Sequence, residues 1–263
     1  MSNNGLFGDI QILPRGLYLQ VGFEVKLLDD AVIRSNEPEE VLSYSYEELW
    51  DRFIIPWRKF KGKLRRLVME QQRSFGIAND CSLKDHLCLK CPACLLFGGT
   101  GETSAAKVDY NLLSRVLGET LISKDELRDI KSYTANAVDE ITLTTGQALM
   151  NILTVPAETK FIGIVTLRDP TPELSAILID NLKRMNRFGA STREWGRCQI
   201  SIIGYRLSNK EDISVYEIVK NRNLKESFSQ KIEELNLPPD IRQCYEKVNK
   251  DFNDLLKKER LLK

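Results

Sequence analysis

The chain has 263 residues, of which 42% are hydrophobic and 29% are charged, as in an ordinary globular protein that buries a full core. Its formal net charge of +1 excludes no class of partner, because a near-zero sum can hide a strongly basic face. No stretch approaches the ~20 apolar residues of a membrane span, and residues 1–9 lack the basic start and apolar run of a signal peptide, so we expect a cytoplasmic protein with no membrane partner.

The first predicted element is a β-strand over residues 16–28. Apolar side chains alternate from Leu17 to Val25 and give this strand one buried face. The alternation stops at Asp29. The stretch that follows, residues 31–46, predicts a long excursion rather than a tight turn.

An amphipathic helix is predicted to begin at Pro56, where the missing N–H of proline costs nothing. Its apolar stripe runs from Trp57 to Val68. Residues 51–73 carry eight Lys or Arg against two acidic side chains, and Gly62 lies on the basic side. A mid-helix glycine costs about 1 kcal/mol relative to alanine, which indicates that a ligand approaches the backbone there. We interpret this face as a contact surface for nucleic-acid phosphates; a solvated helix face is the alternative.

A metal site is predicted in residues 81–101, which contain four of the six cysteines and the only histidine. Thiolates at this spacing favour zinc in a closed, structural site. The predicted ligands are Cys81, Cys88, Cys91 and Cys94. In the alternative ligand set, His86 replaces Cys81 or Cys88. An iron–sulfur cluster is the alternative metal group, and a cluster of merely buried cysteines is the remaining interpretation.

The middle of the chain gives weaker patterns. Residues 112–132 predict a helical or mixed segment, and residues 133–157 predict short β-runs broken by polar residues. The polar stretch at 144–146 indicates a protruding hairpin. Met150 falls near its tip and is either a core residue or an apolar wedge that splits a base step.

A further strand is predicted over residues 161–167, followed by a helix with Thr171 as N-cap and Pro172 in its first turn. The Gly-rich loop at residues 188–197 combines backbone N–H groups, arginines and the indole ring of Trp195. This combination suits a single-stranded nucleic acid. The alternative is an ordinary tight connection between a helix and a strand.

The last predicted strand covers residues 199–205, and residues 208–263 predict a polar, helical region. The order strand, helix, insertion, strands, strand, helix, strand is typical of a ferredoxin-like domain of the RNA-recognition type. In that fold the helices lie on one face of an antiparallel sheet. We therefore expect the other face to be free for a ligand.

Several of these stretches together resemble one family, the type I-D CRISPR backbone subunit of the RAMP superfamily, which coats the guide RNA of a surveillance complex. The resemblance runs from about residue 16 to residue 205. It rests on four stretches: CLKCPACLLFGGTG at 88–101, VPAETKF at 155–161, LRDPTPEL at 167–174 and NRFGASTREWGR at 186–197. The cysteine segment and the Gly-rich loop are its most specific parts.

The resemblance implies an α+β fold with a modified ferredoxin-like (RRM-like) core and an antiparallel sheet over residues 1–206. It implies a lid-like loop at 29–50, a zinc-binding insertion at 76–108, and a helical segment with a thumb hairpin at 112–157. The thumb itself maps to about residues 133–155. The resemblance does not extend past residue 207, and the polar, helical pattern of residues 207–263 predicts a C-terminal helical region.

The implied function is to bind guide RNA through its phosphates, to oligomerise along it, and to present its bases for target pairing in antiviral defence. The implied partners are guide RNA, the complementary target nucleic acid, further copies of the chain in a filament, and other effector-complex subunits. The implied RNA-binding residues are Arg34, Lys59, Lys61, Lys63, Arg66, Met150, Arg193 and Arg197.

Two other functions compete with this one. A metal-dependent endonuclease could use Asp29 and Asp30, just past the first strand, to hold Mg²⁺ and cut the paired target strand at regular intervals. Aspartate at a strand end is also common turn chemistry, so we expect no catalytic residue here. A free-standing zinc protein with the same fold is the third hypothesis.

Overall fold

A computed structural model describes the protein over residues 5–33, 43–83, 86–102, 107–126, 130–138, 145–221, 228 and 230–259. Arg34, to which the resemblance assigns an RNA contact, lies outside these residues. Within this part of the chain the main sheet comprises β1 (Tyr18–Leu27), β2 (Ser43–Tyr46), β3 (Leu49–Ile55), β4 (Val116–Gly118), β5 (Leu121–Glu126), β8 (Lys160–Arg168) and β9 (Cys198–Ser208). A separate two-stranded hairpin comprises β6 (Lys131–Val138) and β7 (Thr145–Thr154).

The helices lie mostly between these strands. They are α1 (Trp57–Ser74), α2 (Pro92–Phe97), α3 (Pro172–Arg184), α4 (Val215–Asn221) and α5 (Ile241–Lys258), with a short 3-10 turn at Ile232–Leu235. None of these described helices is both long enough and apolar enough to span a lipid bilayer.

The sheet has the connectivity of a ferredoxin-like domain. Its strands run antiparallel to their neighbours in the order β2–β3–β5–β8–β1–β9, and β4 also pairs with β8. The four strands β5, β8, β1 and β9, with α1 and α3 between them in sequence, reproduce the order expected for two interleaved βαβ units. The predicted α+β fold with an antiparallel sheet is confirmed.

The two long core helices are placed by the apolar stripes that the sequence indicates. Phe60, Leu64 and Val68 of α1 are fully buried, and the ring of Phe60 stacks on Phe23 of β1 with centroids 5.1 Å apart. The helix begins at Trp57, one residue after the predicted start at Pro56, which is the N-cap. The predicted N-cap of α3 is also confirmed, because Thr171 Oγ1 accepts a hydrogen bond from Leu174 N at 3.3 Å.

The expectation of a free second sheet face is wrong. Ile122, Ile162 and Ile164 point to that face and pack in one buried cluster with side chains from the region after β9. The covering residues include Ile213, Val215, Ile218, Val219 and Phe228. The physical reason is that β8 is apolar on both faces and must be covered on both. The face that an RNA-recognition domain usually presents to RNA is therefore occupied by the chain itself.

Two assignments of local structure also need correction. Residues 116–126 of the predicted helical segment form β4 and β5, which join the main sheet. Residues 43–50 of the predicted lid-like loop belong in large part to β2 and β3, while residues 34–42 lie outside the described residues. The hairpin is confirmed as β6 and β7, and its connection at 139–144 again lies outside the described residues.

The C-terminal region is helical, as predicted, and α5 is anchored by a buried apolar stripe. Tyr245 is fully buried, and Val248, Phe252 and Leu256 are each at most 2% exposed. This stripe joins the main hydrophobic core together with residues of α2 and α3. Helix α5 is therefore part of the same core and borders the cysteine segment.

Candidate metal centre and nucleic-acid groove

The four predicted metal ligands converge. The Sγ atoms of Cys81, Cys88, Cys91 and Cys94 all lie within 4.8 Å of one another. Cys81 Sγ is 3.6 Å from Cys94 Sγ and 3.7 Å from Cys91 Sγ, far beyond a disulfide bond of about 2.05 Å. Three of the four thiols are buried and Cys88 is half-buried. The spacing and burial suit a single metal ion with four sulfur ligands.

Local structure explains the convergence. Pro92 starts α2 one residue after Cys91, so that Cys94 is carried on the first turn of this short helix. Cys81 and Cys88 approach from the preceding loop, where Cys88 N lies 3.5 Å from Cys81 Sγ. The alternative ligand His86 is exposed, and the described residues that could share one ion comprise only the four cysteines.

The thiols are electrostatically coupled because they are crowded together. Side-chain hydrogen bonding with Cys81 lowers the pKa of Cys88, and side-chain hydrogen bonding with Cys81 raises the pKa of Cys91. Hydrogen bonding among the four thiols also lowers the pKa of Cys81 and raises that of Cys94, so the cluster favours the thiolates of Cys81 and Cys88 at the expense of Cys91 and Cys94. A divalent cation at the centre of the four sulfurs would stabilise all four thiolates at once.

The second feature is a groove of about 440 Å³ between the basic face of α1 and the Gly-rich loop. Its charged lining is entirely cationic among the described residues: Arg58, Lys59, Lys63, Arg66 and Arg187. Its neutral lining includes Gly62, Gly189 and Thr192. Burial, followed by the neighbouring charge of Arg58, lowers the pKa of Lys59. Like charges held this close, with no carboxylate among the described lining residues, favour a polyanionic ligand.

Two glycines shape the groove in different ways. A Cβ atom built on Gly62 would have no neighbour within 4 Å, so the backbone of α1 is accessible from the groove. Gly189 has φ +111°, and a Cβ there would lie 2.8 Å from Val32 O. This close approach allows Ala190 N to donate to Val32 O at 2.8 Å, which fixes the loop against the segment that follows β1.

The structure separates the predicted RNA-binding residues into groups. Lys59, Lys63 and Arg66 line the groove. Lys61 does not, because its Nζ turns to the opposite side of α1 and donates to Ser114 Oγ at 2.8 Å. Arg193 and Arg197 are exposed on the Gly-rich loop but are not among the groove residues. Met150 lies in β7, and its side chain falls outside the described part of the chain.

Two groove cations were missed as specific contacts, Arg58 and Arg187. Arg58 lies four residues before Gly62 on α1, so helical periodicity alone places both on one face. Arg187 Nη1 donates to Thr192 O at 2.9 Å and to Trp195 O at 3.3 Å. It therefore shapes the Gly-rich loop from inside while its charge adds to the groove.

Asp29 and Asp30 form a junction among β1, the hairpin and the Gly-rich loop. Asp29 Oδ1 accepts from Arg197 N at 2.6 Å. Asp30 is 7% exposed and accepts from Tyr133 Oη at 2.7 Å, from Ala157 N at 2.8 Å and from Lys131 Nζ at 3.2 Å. Burial would raise the pKa of Asp30, but these hydrogen bonds outweigh it and lower the pKa.

An aromatic contact completes this junction. The ring of Tyr133, at the base of the hairpin, lies 4.7 Å from that of Trp195 in the Gly-rich loop, with an interplanar angle of 57°. Such tilted pairs add to the energy of burial. The hairpin base and the Gly-rich loop are therefore joined by this ring contact and by hydrogen bonds to two adjacent aspartates. The hairpin donates to Asp30, and the loop donates to Asp29.

The chain is similar to known proteins both in sequence family and in fold. A family model described as Csc2 Crispr matches residues 40–262. No curated protein matches the chain. The crystal structure of Thermofilum pendens Csc2 is similar at a TM-score of 0.64 and 17% identity, covering 94% of this chain and 89% of that chain. A chain of a type IV-B CRISPR complex is similar at a TM-score of 0.51 and 16% identity, covering 70% of this chain and 90% of that one.

Proposed function

The chain belongs to the Csc2 Crispr family, and from this premise we propose that it is a CRISPR effector-complex subunit that binds guide RNA. The observation that carries the proposal is the groove beside α1, whose charged lining among the described residues is cationic throughout. Contacts to phosphates hold an RNA strand without selecting its sequence and leave its bases free for a complementary target.

The groove also replaces the surface that the fold would ordinarily offer. Ile213, Val215, Ile218, Val219 and Phe228 pack on the second face of the sheet, so that face is not open to an RNA strand as it is in RNA-recognition domains. In the proposal, the strand lies across Gly62 instead, between Lys63 and Arg66 on one side and the Gly-rich loop on the other. The open backbone at Gly62 supports this path.

The proposed function includes assembly with other subunits and with further copies of the chain. One similar structure is a chain of a type IV-B CRISPR complex, which supports assembly with other complex subunits. The resemblance to type I-D backbone subunits supports copies stacked head to tail along the guide, pairing with a target nucleic acid, and a role in antiviral defence. In this arrangement the hairpin of β6 and β7 is the thumb, and the Asp30 junction sets its angle to the groove.

For the metal, we propose structural zinc. Four ligands at a Zn–S distance of about 2.3 Å stand about 3.8 Å apart in a tetrahedron. The sulfur separations of 3.6 and 3.7 Å fit this geometry. An iron–sulfur cluster places several iron atoms between its cysteines and needs wider spacing than 4.8 Å. Zinc would hold the segment 81–94 in place and leave no open position for catalysis.

The endonuclease alternative has less support from the geometry. Both of its aspartates already accept hydrogen bonds that join three chain segments. A carboxylate held by a lysine and a tyrosine is poorly placed to ligate Mg²⁺, which keeps its own water shell. Incubation of the chain with paired RNA or DNA and Mg²⁺ should leave the strands intact; regularly spaced cuts lost in Asp30→Ala would establish the alternative.

The test of RNA binding is a matched pair of double charge reversals. Lys63→Glu with Arg66→Glu changes the groove, whereas Lys257→Glu with Lys258→Glu changes two exposed lysines at the end of α5 by the same total charge. Each is titrated with labelled single-stranded RNA in a filter-binding assay. The groove variant should lose about 100-fold in affinity, taking about tenfold per phosphate contact. Equal losses in both variants would show that net charge, not the groove, governs binding.

A further inference from the structure

We propose that Gln72 is a positioning residue that joins the metal segment to the last turn of the groove helix, so that metal loading also controls the docking of α5. The inference rests on metal binding by the four cysteines, which belongs to the proposed function, and is independent of RNA binding. Gln72 was not singled out by any pattern in the sequence, because a glutamine near the end of a helix is ordinarily a surface residue.

Both ends of the Gln72 amide are used, although the residue is completely buried. Its Nε2 donates to Cys91 Sγ at 3.4 Å, and its Oε1 accepts from Ala93 N at 3.2 Å. The Ala93 contact fixes which way the amide faces, because a backbone N–H can only donate. The side chain therefore presents an N–H to one thiolate and holds the first turn of α2. Hydrogen bonds to metal ligands orient those ligands, and mutating the partner residue typically lowers metal affinity 10–100-fold.

The preceding residue, Gln71, lies about 100° away around the same helical turn and contacts two other helices. Its Oε1 accepts from Asn181 Nδ2 at 2.6 Å and from Tyr245 Oη at 3.1 Å. Asn181 lies on α3 and Tyr245 on α5, and both are fully buried. The end of α1 is thus tied to the metal segment through Gln72 and to α3 and α5 through Gln71.

Helix α5 also contacts the metal segment directly. Asn253 Nδ2 donates at 3.0 Å to the carbonyl of Lys90, which lies between the ligands Cys88 and Cys91. Lys90 O can stay in this position only while the loop between the two cysteines keeps its shape. Removal of the metal should release this loop, and with it one support of α5. The metal segment, α1 and α5 therefore each contact the other two.

The experiment compares Gln72→Leu with Gln71→Leu, adjacent changes of the same size that remove different contacts. Zinc affinity is measured by competition with a chromophoric chelator, and the cysteine ligands are followed by thiolate-to-cobalt absorption after Co²⁺ replacement. Gln72→Leu should weaken zinc binding 10–100-fold and alter the cobalt spectrum. Gln71→Leu removes no contact to a cysteine and affects zinc only through the docking of α5, so it should weaken zinc binding at least threefold less than Gln72→Leu and leave the cobalt spectrum unchanged.

Hydrogen exchange on the unmodified chain provides a test that does not depend on a variant folding. Zinc removal by a chelator should accelerate amide exchange in residues 241–258 and at the end of α1, but not in β1. Unchanged exchange in α5 on zinc removal, or unmodified zinc affinity in Gln72→Leu, would overturn the inference while the metal site stood. Failure of the unmodified chain to bind zinc or cobalt at all would overturn the metal site together with it.

Discussion

The replacement of Gly62 by alanine separates the stability of the fold from its proposed function. Gly62 lies inside α1 on the groove side, and a Cβ there meets no atom within 4 Å. Alanine is more favourable than glycine in a helix interior by about 0.8–1.0 kcal/mol. Without a clash to offset this gain, Gly62→Ala should raise the melting temperature by about 2–4 °C for a protein of this size.

RNA binding should respond in the opposite direction. If a phosphate approaches the helix backbone at Gly62, an added methyl group stands where the strand lies. We expect RNA affinity to fall about tenfold, which corresponds to about 1.4 kcal/mol. Gly62→Gln, with a longer uncharged side chain of good helix propensity, should reduce it further. Ser74→Ala is the control, since Ser74 is exposed at the end of α1 and outside the groove.

Thermal unfolding and RNA titration of the same preparations check both halves of this prediction. A higher melting temperature with unchanged RNA affinity would show that no ligand approaches Gly62 and would move the RNA path elsewhere. A lower melting temperature would show that the space beside Gly62 is not open. Either result would refute the argument that this glycine is present for a ligand rather than for the fold.

Two further predictions concern the junction and the covered sheet face. The folded-state pKa of Asp30 is lowered, so its contribution to stability is present above the unfolded value of 3.8 and is lost as pH falls through the folded pKa. Asp30→Asn should therefore reduce the loss of stability at acidic pH, measured by chemical denaturation across a pH series. An unchanged loss of stability at acidic pH would exclude this role. Gly22→Ala should destabilise the fold by about 1–3 kcal/mol, because the new Cβ would lie 2.3 Å from the ring of Phe228. An unaltered melting temperature would show that Phe228 does not pack there.

The cysteine site could be predicted from the sequence because its ligands are close along the chain. The Cys91–Pro92 start of α2 and the three-residue spacing fix most of the geometry locally. Gln72 could not be predicted in the same way. Its contact with Cys91 crosses 19 positions of the chain and depends on how α1 packs against the loop. Sequence patterns report periodicity, and this contact depends on tertiary packing.

The basic helix α1 shows the same limit of what sequence patterns predict. The pattern correctly predicted a cationic face, but not which of its cations line the groove. Lys61 and Lys63 differ by about 200° around the helix axis, so only Lys63 faces the groove while Lys61 reaches Ser114. A stricter use of helical periodicity separates the two. The position of Ser114 depends on the insertion, which no pattern in the sequence placed.

The covered sheet face was not predicted for a different reason. The apolar run of β8 fits a strand buried on both sides, yet a short helix within a polar C-terminal region gave little indication that it supplies the cover. Likewise, β4 and β5 are short and β5 ends in the charged residues Asp125 and Glu126, so pairing with β8 rather than strand propensity places them in the sheet.

The salt dependence of RNA affinity tests the central claim most directly, because its slope counts the phosphates that the protein neutralises. Removal of both groove charges by Lys63→Gln and Arg66→Gln should lower the slope of log K against log salt by about 1.4, at about 0.7 for each single-stranded phosphate contact. Lys61→Gln should leave the slope unchanged, since Lys61 faces away from the groove. A slope that is the same in the double variant, or that falls in Lys61→Gln instead, would contradict the assignment of RNA to this groove.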